Sequence, residues 1–170
     1  MGLRPLCELR HGGTSFPARG KEGYDAAMAI KIEHRLGIRA TSDRIWDLIS
    51  ELERWEHWNP VHPGASGRIG FGETLRIVEA YPGEEKRTIE AKVWEWAPRE
   101  QLVWQRKSFM NSSLRYLEIE ELAPGSCIFS NGVIYEGYLG KQEARRRGRA
   151  MKIGFGILGE AIKERAEREG

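Results

Sequence analysis

Cysteine is almost absent: Cys7 and Cys127 are the only two in 170 residues. Two thiols without CxxC spacing exclude a disulfide framework and argue against a zinc centre. The expected environment is therefore a reducing cytoplasm. Histidine is scarce as well. His11, His34, His57 and His62 form no metal-ligating set, and Pro60 breaks the helical register that would bring His57 to His62. No apolar run approaches the roughly 20 residues of a membrane span, so integral membrane association is not expected. Residues 1–27 lack the apolar core of a signal peptide. Neither sign of charge dominates, since 27 basic and 25 acidic residues leave a net +2, which removes the global case for nucleic acid as a partner. There is no GxSxG nucleophile elbow, and the glycines at 67, 70 and 72 are not followed by the Lys-Ser/Thr of a phosphate cradle. No metal or cofactor is implied.

What remains is the pattern of one domain able to bury a sizeable core. Residues 1–27 hold Pro5, Gly12, Gly13, Pro17, Gly20 and Gly23 without any period of 2 or 3.6. They read as a disordered N-terminal extension, with Met28 as the native start and 28–170 as the folded domain. Ile30, Ile32, His34, Leu36 and Ile38 then alternate as in a half-buried strand. Thr41-Ser42-Asp43 offers N-caps for a short helix whose Ile45, Trp46, Leu48, Ile49 and Leu52 recur at helical spacing. A second turn carries Trp55 and Trp58 and stops at Asn59-Pro60.

Five strands are expected over 71–80, 87–96, 101–107, 113–122 and 126–136, with a weaker one near 65–70. Pro82-Gly83, Ala97-Pro98, Met110-Asn111-Ser112 and Pro124-Gly125 separate them. Such short connections imply an antiparallel meander. The last 30 residues read as a helix whose Ala144, Met151, Phe155, Leu158 and Ile162 share one face. Gly148, Gly154 and Gly159 flank that stripe. Each costs up to ~1 kcal/mol relative to alanine in a helix interior, so they imply either close approach to the sheet or room left for a guest.

In this order, the strand, two short helices, meander and terminal helix resemble the START-like (Bet v 1-like, SRPBCC) superfamily, in its polyketide cyclase/dehydrase-related branch. The resemblance covers residues 30–168. It is carried by Ala40-Thr41-Ser42-Asp43-Arg44-Ile45-Trp46, by Trp55-x-x-Trp58-Asn59-Pro60, by Leu102-Val103-Trp104, by Tyr135-Glu136-Gly137 and by the terminal helix. Thr41 stands where the family commonly has proline. The resemblance implies an α+β helix-grip fold, a curved antiparallel sheet around a long C-terminal helix. It also implies a largely apolar cavity, ~300–1,000 Å³ in such sites, opening near the short helices.

Strand alternation names the residues that would line it. These are Trp58 from the second turn, Leu75 and Ile77, then Ile89 and Ala91. Trp104 and Arg106 follow on the next strand, Arg115 and Leu117 on the one after, and Asn131, Val133 and Tyr135 on the last. Met151, Phe155 and Leu158 face them from the helix. Arg106 and Arg115 either meet an anionic group of a guest or snorkel to water from a strand end. The expected function is binding of a small hydrophobic or aromatic ligand, such as a lipid or polyketide. A polyketide cyclase/dehydratase-type or hydrolase-type enzyme in the same cavity is the alternative, although no catalytic pair is evident. A third reading is an adaptor using the basic helix face of Lys141, Arg145, Arg146, Arg149 and Lys152. Arg147 stands apart beside the apolar stripe, within reach of the cavity mouth. Trp94 and Trp96 are expected to share an outer face, a surface for a homodimer.

Overall fold

The computed structural model describes residues 29–168, so the extension expected over residues 1–27 lies outside the described residues. Strand β1 (Ile30–Ile38) leads into helix α1 (Ser42–Ser50) and a 3₁₀ turn over Leu52–His57. Strands β2 (Ala65–Ser66), β3 (Thr74–Glu79), β4 (Arg87–Ala97), β5 (Gln101–Ser108), β6 (Asn111–Ala123) and β7 (Ser126–Glu136) precede helix α2 (Tyr138–Arg168). The weak strand expected near 65–70 is only the two residues of β2. No described helix is long and apolar enough to cross a membrane.

Each pair of neighbouring strands is antiparallel, in the order β1-β7-β6-β5-β4-β3-β2. Successive strands from β2 to β7 are hairpin neighbours because their turns are too short for crossovers. β1 pairs with β7 instead of β2, and α1 carries the chain from one edge of the curved sheet to the other. Thr41 caps α1 by accepting a hydrogen bond from the Arg44 N–H, and Asp43 complements the helix dipole in the first turn. The Ser42 hydroxyl ties the same end to Glu121 of β6 at 2.8 Å.

α2, about 46 Å long, packs against β1 and β7 and buries Met151, Phe155, Leu158 and Ile162. Its glycines mark close approach rather than space. A Cβ at Gly154 would come within 2.7 Å of Tyr81 Cδ1, and one at Gly159 within 2.9 Å of Leu36 Cδ2. The local cost of helical glycine is offset by the contact it permits.

Candidate functional site

Period-2 alternation carries the expected lining residues to one face. Register pairs Leu75 with Ala91 and Ile77 with Ile89, then Trp104 with Arg115, Leu117 with Asn131 and Arg115 with Val133. All of these are buried, as are Tyr135 and the facing Met151, Phe155 and Leu158 of α2. Arg106 lies two residues beyond Trp104 and is half-buried at the rim. Trp58 is the exception. Half-buried against the edge of the core, it packs edge-on on Trp55 at 6.5 Å and also lines an outer groove with Arg44, Leu48 and Arg165.

Among the described residues that interior is closely packed, where a cavity of several hundred Å³ was expected. Next to the short helices, where an opening was expected, Trp55 reaches in and its indole N–H donates to Ile49 O at 3.1 Å. His62 stacks on it with ring centres 5.8 Å apart. Trp104 closes the triangle at 6.2 Å from Trp55 and 5.9 Å from His62, and Tyr81 bridges His62 to Phe155 with edge contacts of 5.8 and 5.9 Å. The void left between Trp104, Arg115, Val133, Tyr135 and Met151 is about 10 Å³. Aromatic volume supplied by the 3₁₀ turn and the loop after it occupies the room that the sheet and helix enclose.

The Trp55–Pro60 segment is held by a buried side chain. Asn59 Oδ1 accepts from the backbone N–H groups of Val61 at 3.1 Å and His62 at 2.8 Å, an Asx turn that aims the imidazole inward. His62 is fully buried, and neither ring nitrogen makes a well-formed hydrogen bond, the Val78 backbone offering only a weak polar contact. Desolvation, reinforced by the charge of Arg115, holds its pKa well below 6.5, so the ring is neutral. The Tyr81 hydroxyl likewise makes no well-formed hydrogen bond; burial pushes its pKa up to about 12 against the opposing influence of the neighbouring Arg115.

Arg115 is the central group. Only 5% exposed, it donates to Tyr116 O at 2.7 Å, Gly132 O at 3.0 Å and Asn131 Oδ1 at 3.2 Å. Its guanidinium lies 4.2 Å from the Phe155 ring centre and 5.5 Å from that of Trp104. Its Nε has no partner, and its partners are carbonyl oxygens and one amide with no carboxylate among them. Asn131 is fixed in turn by donating to Phe155 O at 3.1 Å. A buried cation satisfied only by neutral dipoles and ring faces retains most of its attraction for an anion.

A second set of charges closes this chamber toward the outside. Arg147 of α2 is 3% exposed and grips Glu84, on the β3–β4 connection, with contacts of 2.6–3.0 Å. It also reaches Glu143 at 3.1 Å and Glu79 at 3.4 Å. Arg87 joins Glu79 at 2.7 Å, and Asn111 donates to Glu143 at 2.7 Å. Burial alone would lower the Arg147 pKa, but the bond to Glu84 and the charge of Glu79 raise it overall. Beyond lies a polar surface depression of about 330 Å³, which shares Arg106 and Ser113 with the inner void.

A separate groove of about 540 Å³ runs beside Trp46, Leu52, Ile69 and Trp96. Its wall corrects the outer-face pairing expected of Trp94 and Trp96. The register shifts between Val93 and Glu95, leaving Trp94 as the extra residue of a bulge. By register Trp96 falls opposite Leu102 and Trp94 has no partner on β5, so the two indoles are not a simple same-face pair, although both are exposed, Trp94 at 48% and Trp96 at 40%.

No family model matches the chain, and no curated protein matches it. Solved structures do. A START superfamily protein from Mycobacterium smegmatis is 17% identical at a TM-score of 0.62, over 82% of this chain and 99% of that one. Zhui aromatase/cyclase from Streptomyces sp. R1128 is 11% identical at 0.65, over 83% and 95%. The di-domain aromatase/cyclase StfQ from the steffimycin biosynthetic pathway is 12% identical at 0.61 over 84% of this chain. The chain spans about half of that di-domain protein, 52% of its length.

The chain has the START-like helix-grip fold. At such identities the likeness is one of fold, and fold leaves function to the site. Within this START-like frame the sequence reading missed His62, Glu79, Tyr81 and the role of Glu84. Two of them had a signal: Leu75, Ile77, Glu79 and Tyr81 continue one alternation, and Glu79 and Tyr81 are buried on the same face. His62 and Glu84 lie in connections without periodicity and had none.

Proposed function

We propose that the protein binds one small molecule with an aromatic or other apolar body and an anionic group, the anion meeting Arg115 between sheet and α2. The single observation behind this reading is the buried Arg115 guanidinium, paired with dipoles and ring faces but with no carboxylate. Two further buried polar groups, His62 and Tyr81, make no well-formed hydrogen bond beside it. Each costs about 1–3 kcal/mol of stability as it stands, which marks the cluster as kept for something other than stability. The apolar body of the guest displaces aromatic side chains, with the ring of Tyr81 turning as the Arg147–Glu84 contact opens. Removal of the guest's apolar surface from water supplies ~25 cal/mol per Å².

Titration calorimetry with 1-naphthoate and its neutral counterpart 1-naphthamide tests the reading. Naphthoate binds the wild type, naphthamide binds at least about tenfold more weakly, and Arg115→Met removes the difference, with tenfold equal to 1.4 kcal/mol. Equal binding of the two compounds to the wild type overturns it.

A second reading has its own support, the neutral imidazole and the phenol placed beside the same cation. Arg115 would polarise a carbonyl while His62 and Tyr81 move protons, a cyclisation or dehydration chemistry for which a folded-up polyketone is the substrate class. Turnover of a poly-β-ketone thioester that is lost in His62→Leu while naphthoate binding persists supports this reading. No turnover by the wild type removes it.

A further inference from the structure

We propose that the tip of the β5–β6 hairpin and the first turns of α2 form a surface that docks on an anionic lipid bilayer. The loop between the paired Ser108 and Asn111 is Phe109-Met110. Phe109 is 85% exposed and Met110 52%. Met110 also has φ 57°, the left-handed region where glycine or asparagine is unstrained and a long apolar residue is not. Strain and exposure together mean that the two side chains contribute nothing to the packing of the fold. The Leu139 N–H donates to Met110 O at 3.2 Å, which fastens the start of α2 to the tip. The exposed side chains of Tyr138 and Leu139 thereby extend the same apolar surface.

Charge surrounds it on one side of the balance. Across residues 106–112 and 136–146 five cations, Arg106, Lys107, Lys141, Arg145 and Arg146, stand against two carboxylates, Glu136 and Glu143. Glu143 is engaged by Arg147 and Asn111, and three of the cations, Lys107, Arg145 and Arg146, are exposed. Lys141, in the first turn of α2, opposes the helix dipole, and no acidic residue of that turn offsets it. The polar depression described above sits on this surface, its cations Arg87, Arg106, Lys107 and Arg146 outnumbering the carboxylates Glu90 and Glu143 that also line it. It offers cations at the depth of lipid phosphates once the tip is inserted. Apolar insertion combined with a basic rim is the two-signal arrangement that holds a protein on an anionic leaflet. A nucleic acid would use the cations and leave the tip in water.

Co-sedimentation of the full chain with phosphatidylcholine vesicles, with and without phosphatidylserine, provides the test. Binding is expected only to the phosphatidylserine vesicles. Lys107→Gln with Arg146→Gln should weaken it about 25-fold, about fivefold for each cation removed. Phe109→Ser with Met110→Gly should abolish it, and because glycine relaxes the left-handed position this variant stays folded, with an unchanged or higher Tm. No binding to phosphatidylserine vesicles, undiminished binding by either double variant, or preferential binding of single-stranded RNA would each overturn the proposal. Naphthoate binding by the tip variant reads the interior separately, so the two proposals stand or fall independently.

Discussion

Replacing His62 with leucine should stabilise the protein, and by an amount that grows as the pH falls. The imidazole is fully buried among Trp55, Tyr81 and Trp104, with neither ring nitrogen in a well-formed hydrogen bond. Two unsatisfied polar atoms cost about 2 kcal/mol or more, against which leucine forfeits aromatic edge contacts worth about 1 kcal/mol. The net gain near neutral pH is therefore about 1 kcal/mol. The pH term follows from the depressed pKa. Desolvation holds the folded-state value well below 6.5, whereas the unfolded chain takes up a proton at 6.5. Below that pH the unfolded state binds more protons, so wild-type stability falls as pH falls. Between about pH 7.5 and 5.5 the loss is about 1.4 kcal/mol, a term the leucine variant lacks. Urea unfolding followed by tryptophan fluorescence at each pH measures the gap between the two proteins, in which contributions from distant groups cancel. A gap that stays constant between those pH values would refute the assignment of a buried, neutral His62.

Three other substitutions probe the frame around the site. Arg147→Gln leaves Glu79, Glu84 and Glu143 without their shared cation. It should cost about 2–3 kcal/mol in urea unfolding, toward the low end for a buried pair because Glu84 and Glu143 reach solvent. Gly132→Ala would set a Cβ 2.6 Å from both Ile32 O and Tyr116 Cζ on the outer sheet face. A destabilisation of about 2–3 kcal/mol is expected from the thermal midpoint, and an unchanged Tm would contradict the close packing of Tyr116 over β7. Asn59→Ala strips the Asx turn of its acceptor and leaves two backbone N–H groups unsatisfied. A loss of about 2 kcal/mol is expected, read from the same thermal unfolding.

Much of the site frame was legible because side-chain direction in a strand follows from parity alone. Leu75, Ile89, Trp104, Arg115, Asn131 and Tyr135 lie on the inner face where alternation put them, and Phe155 faces them from α2. Parity in the pairing failed at Trp94, where one bulged residue set Trp96 opposite Leu102 while leaving both indoles exposed. A bulge carries no composition signal in this strand, since neither glycine nor proline marks it. Trp58 failed for a different reason. Its neighbour Trp55 turns inward and Trp58 outward, a choice made by the geometry of a 3₁₀ turn and by the indole bond to Ile49.

The sequence by itself determined the succession of elements, the antiparallel pairing through short turns and the inward face of nearly every strand. Each depends on interactions between residues close in the chain, which composition and spacing encode. Tertiary structure alone decided whether the space between sheet and helix is empty. That depends on side-chain volumes delivered from connections without periodicity, Trp55 and His62 on one side and Tyr81 on the other. It also decided that Arg115 meets no carboxylate while Arg147, on a helix far along the chain, meets three. Charge pairing between distant segments is a matter of ångströms, and residue order does not fix those distances until the chain has packed.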